Sequence, residues 1–230
     1  MRVVLFDIDG TLLRSGVGKR AMERAMLATV GTTGEPGHRY DGKTDRQIVR
    51  EALRWAGHDD AAIDAQLPVI EARYVEALHD ELSREHGVTL LPGVPALLDA
   101  VESRPDMTMG LLTGNIAAGA AAKLAAVGLD ASRFRVTAFG SDHEHRHELP
   151  AIAQSRARTL LARDVAGDAL VIVGDTPADI SCGRGVGARA VAVATGRFSV
   201  SELAAHRPAA VFADLSDTSA VLAALAGEAR

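Results

Sequence analysis

Two kinds of hydrophobic pattern alternate along this chain. Val3, Val4, Leu5 and Phe6 form a short unbroken apolar run that stops at Asp7, and similar runs recur at 107–112, 135–139, 169–173 and 189–194, with a weaker one at 210–212. Continuous runs of this length predict strands buried on both faces, as in a parallel sheet. Between them the apolar positions fall at helical spacing. "VPALLDAVES" follows Pro92 and Gly93, "AAGAAAKLAAVG" ends at the helix-stopping Gly128, and "ELPAIAQSRARTLLAR" sets Ile152, Leu160 and Leu161 on one stripe. Strands alternating with helices of this length predict βαβ units, and so an α/β fold: a doubly wound parallel sheet covered by helices.

The rhythm breaks once. From Gly16 to Gly87 there is no strand pattern, only the helical segments "KRAMERAMLATVG", "TDRQIVREALRWAG" and "DDAAIDAQLPVIEARYVEALHDELSREHG". Pro68 marks a break or kink in the last of these, and the glycines and prolines of "GTTGEPGHRYDGKTD" mark a loop. The expected organisation is a small all-helical unit at 14–88, inserted after the first strand of an α/β core made from 1–13 and 89–230.

Composition narrows the partners. The 230 residues are 47% apolar and 24% charged, with a net charge of −5, which disfavours a nucleic acid polymer but leaves room for a small phosphorylated ligand met by local cations. Aromatic residues make up only 3%, too few for a base-stacking platform. Cys182 is the single cysteine, so no internal disulfide forms, and it reads as a buried small residue. Asp7 and Asp9 interrupt the first apolar run too early for a signal peptide, and no stretch is apolar for long enough to span a bilayer. The expected location is cytoplasmic, with no membrane partner.

Ligands of open parallel sheets bind at the carboxyl ends of the strands. Those ends read "FDIDGT" (Asp7, Asp9, Thr11), "LLTGN" (Thr113, Gly114, Asn115), "FGSDHEHRHE" and "VGDTPAD" (Asp175, Asp179). At about 4 Å and an effective dielectric near 20, each pair of like charges costs roughly 4 kcal/mol. Four converging carboxylates therefore call for shifted pKa values or a cation, and hard oxygen ligands suit Mg²⁺. Taken singly, each acid also reads as a helix cap or a turn residue, Asp179 in particular at the helix after Pro177.

"DIDGT", "TGN" and "GDTPAD", in this order, resemble the haloacid dehalogenase superfamily. Its signature is DxDGT, a Ser or Thr after the second core strand, a Lys or Arg, and GDxxxD. The resemblance spans nearly the whole chain, and the helical insertion looks like that superfamily's C1 cap, in its phosphoglycolate-phosphatase-like branch. It implies a Mg²⁺-dependent phosphatase acting on a small phosphorylated metabolite through an aspartyl-phosphate. In that reading Asp7 is the nucleophile, Asp9 the general acid and base, and Thr11 helps orient the pair at the phosphate. Thr113, Gly114 and Asn115 hold the phosphoryl oxygens. The metal is held by Asp7, the carbonyl of Asp9, Asp175 and Asp179. An acid at position 9 favours phosphoryl transfer over dehalogenation.

The family's remaining cation is normally a lysine, yet the chain has only Lys19, Lys43 and Lys123. Arg146, inside "GSDHEHRHELP" at 140–150, fits the position, and arginine can bridge two oxygens. Lys123, midway along a helix, is the weaker candidate. His143, His145 and His147 alternate around Arg146 and read as solvated loop residues. In the insertion, Lys43, Thr44 and Arg39 can meet an anionic substrate, or Thr44 or Asp45 simply caps the next helix. The alternatives are a β-phosphoglucomutase-like phosphosugar mutase, a 2-haloacid dehalogenase and a non-catalytic phospho-binding protein. A monomer or homodimer is expected.

Overall fold

The structure, a computed structural model, describes residues 1–84 and 87–228. Its strands are β1 (Arg2–Phe6), β2 (Leu13–Arg14), β3 (Thr89–Leu90), β4 (Met107–Thr113), β5 (Val136–Phe139), β6 (Leu170–Gly174), β7 (Arg189–Val193) and β8 (Ala210–Phe212). Six of them form one parallel sheet in the order β5-β4-β1-β6-β7-β8. These are the six apolar runs of the sequence, shifted at most by a residue at their ends.

Helices cover both faces. Val4 and Phe6 of β1 pack with residues of α4 (Val94–Glu102), α5 (Ala117–Ala126) and α9 (Thr218–Ala226), including Leu97, Leu124 and Val221. Val3 and Leu5 point to the other face, against Leu149, Ala153 and Ala157 of α6 (Leu149–Leu161) and Cys182 at the end of α7 (Pro177–Cys182). Alternate residues of a strand face opposite ways, so an element buried on both sides must be apolar throughout. That is why β1, in the middle of the sheet, shows no polar alternation, while β4 beside it carries only threonines, Thr108 and Thr113, as polar residues.

Between β1 and β4 the chain makes α1 (Val17–Val30), α2 (Asp45–Trp55) and α3 (Asp60–Leu82), with α1 and α2 packed on α3. The segments entering and leaving this insertion pair antiparallel as β2 and β3, with Leu13 opposite Leu90 and Arg14 opposite Thr89. Pro68 does not break α3, which runs through it as one 23-residue helix. Pro68 and Asp64 are both exposed, so the carbonyl that loses its intrahelical donor is open to water. No helix among the described residues is long and apolar enough to cross a membrane.

Candidate active site

The chain leaves β1 for β4 on one side and later returns to β6 on the other, which opens a crevice at the carboxyl ends of these three adjacent strands. β1 delivers Asp7, β4 ends on Thr113, and Asp175 directly follows β6. After Phe6 the chain turns at once: the carbonyl of Ile8 accepts the amides of Thr11, Leu12 and Leu13. Gly10 takes a left-handed φ of 82° in this turn, and a Cβ there would lie 2.3 Å from Asp175 Oδ2. Only glycine combines that backbone with so close an approach.

Asp7, Asp175 and Asp179 are buried and present oxygens all within 4.8 Å of one another, the one group among the described residues that could hold a metal ion. The Arg146 guanidinium is buried against them, 3.2 Å from Asp7 Oδ2 and in direct contact with Asp179 Oδ1. Asp179 does two things. Its Oδ2 accepts the amide and hydroxyl of Thr176 at 3.0 and 2.6 Å in a capping box that starts α7, while Oδ1 takes Arg146. The sequence offered capping and acid cluster as rival readings; the structure shows both.

Burial pushes the Asp7 carboxyl up to about 6, opposed by the positive charge of Arg146 and the Thr113 hydroxyl bond and assisted by Asp179. Burial and then the charges of Asp179 and Asp7 push Asp175 up to about 9. A cluster of hard oxygen donors whose protons are this hard to remove is one that a small divalent cation fits, since the cation takes the place of those protons. The arginine neutralises only part of the charge.

Asp9 stands apart from this group, so three carboxylates converge and not four. Its Oδ2 is held by Lys123 Nζ at 2.6 Å and Asn115 Nδ2 at 2.8 Å. Lys123 is 4% exposed and Asp9 38%, so the ammonium is buried while the acid looks into the cavity. Asn115 also accepts Lys123 at 2.7 Å and donates to Thr113 Oγ1 at 2.8 Å. Arg146 and Lys123 thus divide the positive charge, one beside each of the two acids that follow β1. Thr11, expected at the phosphate, is fully buried and donates to Asp175 Oδ1 at 3.3 Å. It supports the metal-ligand candidate and does not line the cavity.

The insertion closes over this floor. Asp45 N–H donates to the Gly114 carbonyl at 2.8 Å, and Asp45 Oδ2 accepts the Ile116 amide at 2.8 Å. A Cβ on Gly114 would meet the Lys43 carbonyl at 2.1 Å, so that glycine admits the insertion loop. Thr44 is the buried N-cap of α2, accepting from the Gln47 amide at 3.1 Å and donating to the Glu144 carbonyl, which leaves its hydroxyl no capacity to donate to a substrate. Lys43 lines the cavity, with its ammonium on Glu51 and on His38 Nε2 at 3.1 Å. Arg50 Nε adds a 2.6 Å bond to Glu144 across the same junction. The cleft between insertion and core measures about 560 Å³, with walls from both parts.

His143, His145 and His147 form a row of rings with centroids 5.6 Å apart, the last two stacked. His145 and His147 line a separate groove behind Arg146. Residues that sequence reasoning passed over as functional are Ser15, Tyr40 and Asp45, all at the cavity. Lys123 carried one usable signal: it is the lone lysine of an alanine-rich helix, eight positions after Asn115, in a chain rich in arginine.

A family model described as haloacid dehalogenase-like hydrolase matches residues 4–184. No curated protein matches the chain. Among solved structures, a hydrolase from Pseudomonas syringae superposes with a TM-score of 0.73 at 20% identity over 100% of both chains. A predicted phosphoglycolate phosphatase from Haemophilus somnus gives 0.70 at 17% identity, covering 96% of this chain and 98% of the other. CbbY from Rhodobacter sphaeroides, in complex with phosphate, gives 0.71 at 19% identity, covering 94% and 96%.

Proposed function

Because the chain belongs to the haloacid dehalogenase-like hydrolase family, we propose that it hydrolyses a small-molecule phosphomonoester through a phosphorylated Asp7, with Mg²⁺ held by Asp7, Asp175 and Asp179. One observation carries this reading. The two acids that follow β1 sit in different surroundings, Asp7 buried among carboxylates and Arg146, Asp9 partly open and tied to Lys123 and Asn115. Two carboxylates in unlike environments are suited to unlike tasks.

In the first step Asp7 attacks phosphorus and the bond to the leaving oxygen breaks, that oxygen taking its proton from Asp9. Asp9, now a carboxylate, takes a proton from the water that attacks the phosphoryl group, which releases orthophosphate and frees Asp7. Lys123 and Asn115 hold Asp9 in place for both transfers. Thr113 and the backbone N–H groups of Gly114 and Asn115 receive the phosphoryl oxygens, and Arg146 ties Asp7 to them. The metal supplies charge neutralisation, offsetting the repulsion between Asp7 and a phosphate dianion. Residues 14–88 act as a cap and 1–13 with 89–230 as the catalytic core, a division supported by the β2–β3 ribbon and by the seating of Asp45 on Gly114 and Ile116.

The test is orthophosphate release from a panel of small phosphate esters in Mg²⁺ and in EDTA. Release that requires Mg²⁺ supports the proposal. An isomerised sugar phosphate without orthophosphate identifies a mutase instead.

Proton linkage gives a second expectation. Asp175, ordinarily at 3.8, is raised to about 9 and Asp7 to about 6, so between those values the fold keeps protons that the unfolded chain releases. The stability from these groups is complete below about pH 4 and is lost as pH rises toward about 9. The melting temperature in EDTA is expected to fall across that window. Added MgCl₂ should raise it, and more at the alkaline end, where fewer protons are displaced. A melting temperature in EDTA that climbs with pH would contradict the shifts.

A further inference from the structure

α5 starts at the loop that receives the phosphoryl oxygens in the proposed reaction, and it has no N-terminal cap of its own. Its cap position is Ile116, whose side chain offers no acceptor, and Ala117, Ala118 and Gly119 bring no acid to the first turn. The amides there are met from elsewhere in the chain. Asp45 Oδ2, at the start of α2 in the insertion, accepts the Ile116 amide at 2.8 Å, and Ser141 Oγ, after β5, accepts the Ala117 amide at 3.1 Å. In a capping box the acid that reaches back to the amide of the cap residue belongs to the same helix. Here it comes from 71 residues away.

The loop 113–116 is gripped from two sides. On one, Asp45 N–H donates to the Gly114 carbonyl at 2.8 Å; on the other, Gly140 N–H donates to the Asn115 carbonyl at 2.8 Å. The layers leave no room for side chains between them. A Cβ on Gly114 would lie 2.1 Å from the Lys43 carbonyl, and one on Gly140 would lie 2.0 Å from the Gly114 carbonyl. Asp45 thus holds the loop at two points, by its amide and by its carboxylate.

Burial pushes the Asp45 carboxyl up to about 6, opposed by the charge of Lys123 and the Ile116 amide and assisted by Asp9 and Glu71. At neutral pH it is a carboxylate, answered in part by the ammonium that also holds Asp9. A negative charge lining the cleft does nothing to attract a phosphate. What Asp45 offers is an acceptor fixed at one backbone amide.

We propose that Asp45 is a positioning residue: by capping α5 from the insertion it fixes the path of residues 113–116, and so sets the affinity for the phosphoryl group whatever the leaving group. This rests on the reading of that loop as the phosphate seat.

Asp45→Asn and Asp45→Ala both remove the charge, but only the asparagine amide can still accept the Ile116 N–H. The difference between the two variants isolates the hydrogen bond. Orthophosphate titrated by calorimetry in MgCl₂ should bind about fivefold more weakly to Asp45→Ala than to Asp45→Asn, the loss of roughly one hydrogen bond. A merely structural role would lower the melting temperature and the stoichiometry and leave the dissociation constant alone. Arg50→Gln, which breaks the bond to Glu144 across the same junction without touching the loop, is expected to bind orthophosphate like wild type. From Asp45→Asn to Asp45→Ala, kcat/KM for phosphoglycolate, glycerol 3-phosphate and phenyl phosphate should fall by one common factor. Equal dissociation constants in the two Asp45 variants, a loss in Arg50→Gln as large as in Asp45→Ala, or a fall confined to one ester overturns the proposal. If no ester is hydrolysed, the phosphatase reading fails by itself and the orthophosphate titration decides this one. A fivefold gap then sustains it; no gap, or no binding by wild type, ends it.

Discussion

Asp7→Asn is expected to lower kcat by about 10⁴-fold or more while leaving a folded protein. The amide keeps the shape of the carboxylate and can turn its oxygen toward Arg146, 3.2 Å away in the native protein. It cannot form the acyl phosphate. The same change removes one of three negative charges crowded within 4.8 Å, and the charge on Asp7 is one of the causes that lift Asp175 to about 9. The variant's metal-free form should therefore melt no lower than wild type at alkaline pH. Phosphate release and thermal melts in EDTA check the two halves separately. A kcat within tenfold of wild type would remove Asp7 from the chemistry.

Arg146→Met should have the largest effect on stability. The guanidinium is buried between Asp7 and Asp179, and its removal leaves the carboxylates facing one another with no counter-charge. Deleting one partner of a buried ion pair costs about 3–5 kcal/mol. For a chain of this length that corresponds to a melting temperature lower by about 6–20 °C. MgCl₂ should recover part of the loss, because the cation and the arginine answer the same excess of negative charge. Lys123→Met is expected to cost less, since Asp9 is 38% exposed and water can take over its solvation. Calorimetry of the two variants, with and without MgCl₂, decides the order; an Arg146→Met melt equal to wild type would contradict the account.

The fold was legible because a parallel sheet covered on both faces favours apolar residues along its strands, so β1 and β6 stand out as nearly continuous apolar runs and β4 is interrupted only by Thr108 before it ends at Thr113. The acids were legible for the same reason: Asp7 and Asp175 end such runs. The scarcity of lysine directed attention to Arg146, which the structure places against Asp7. Lys123 was harder to weigh, because helical spacing says nothing about how a helix leans over its neighbours. α5 starts beside Asn115 and carries the ammonium back onto Asp9. β2 and β3 are two residues each, too short to form a pattern, and Pro68 is tolerated because its side of α3 faces water. Ser15 and Tyr40 sit in loops with no periodicity, so only the packed structure reveals hydroxyls left without partners.

The central claim is a covalent phosphoryl group on Asp7. Turnover quenched rapidly with acid, followed by peptide mass spectrometry, measures it most directly. The account predicts the added mass of one phosphoryl group on the peptide that carries Asp7, present during Mg²⁺-supported turnover, absent in EDTA and absent in Asp7→Asn. Turnover that proceeds with Asp7 unmodified, or with the phosphoryl group on another residue, would contradict it.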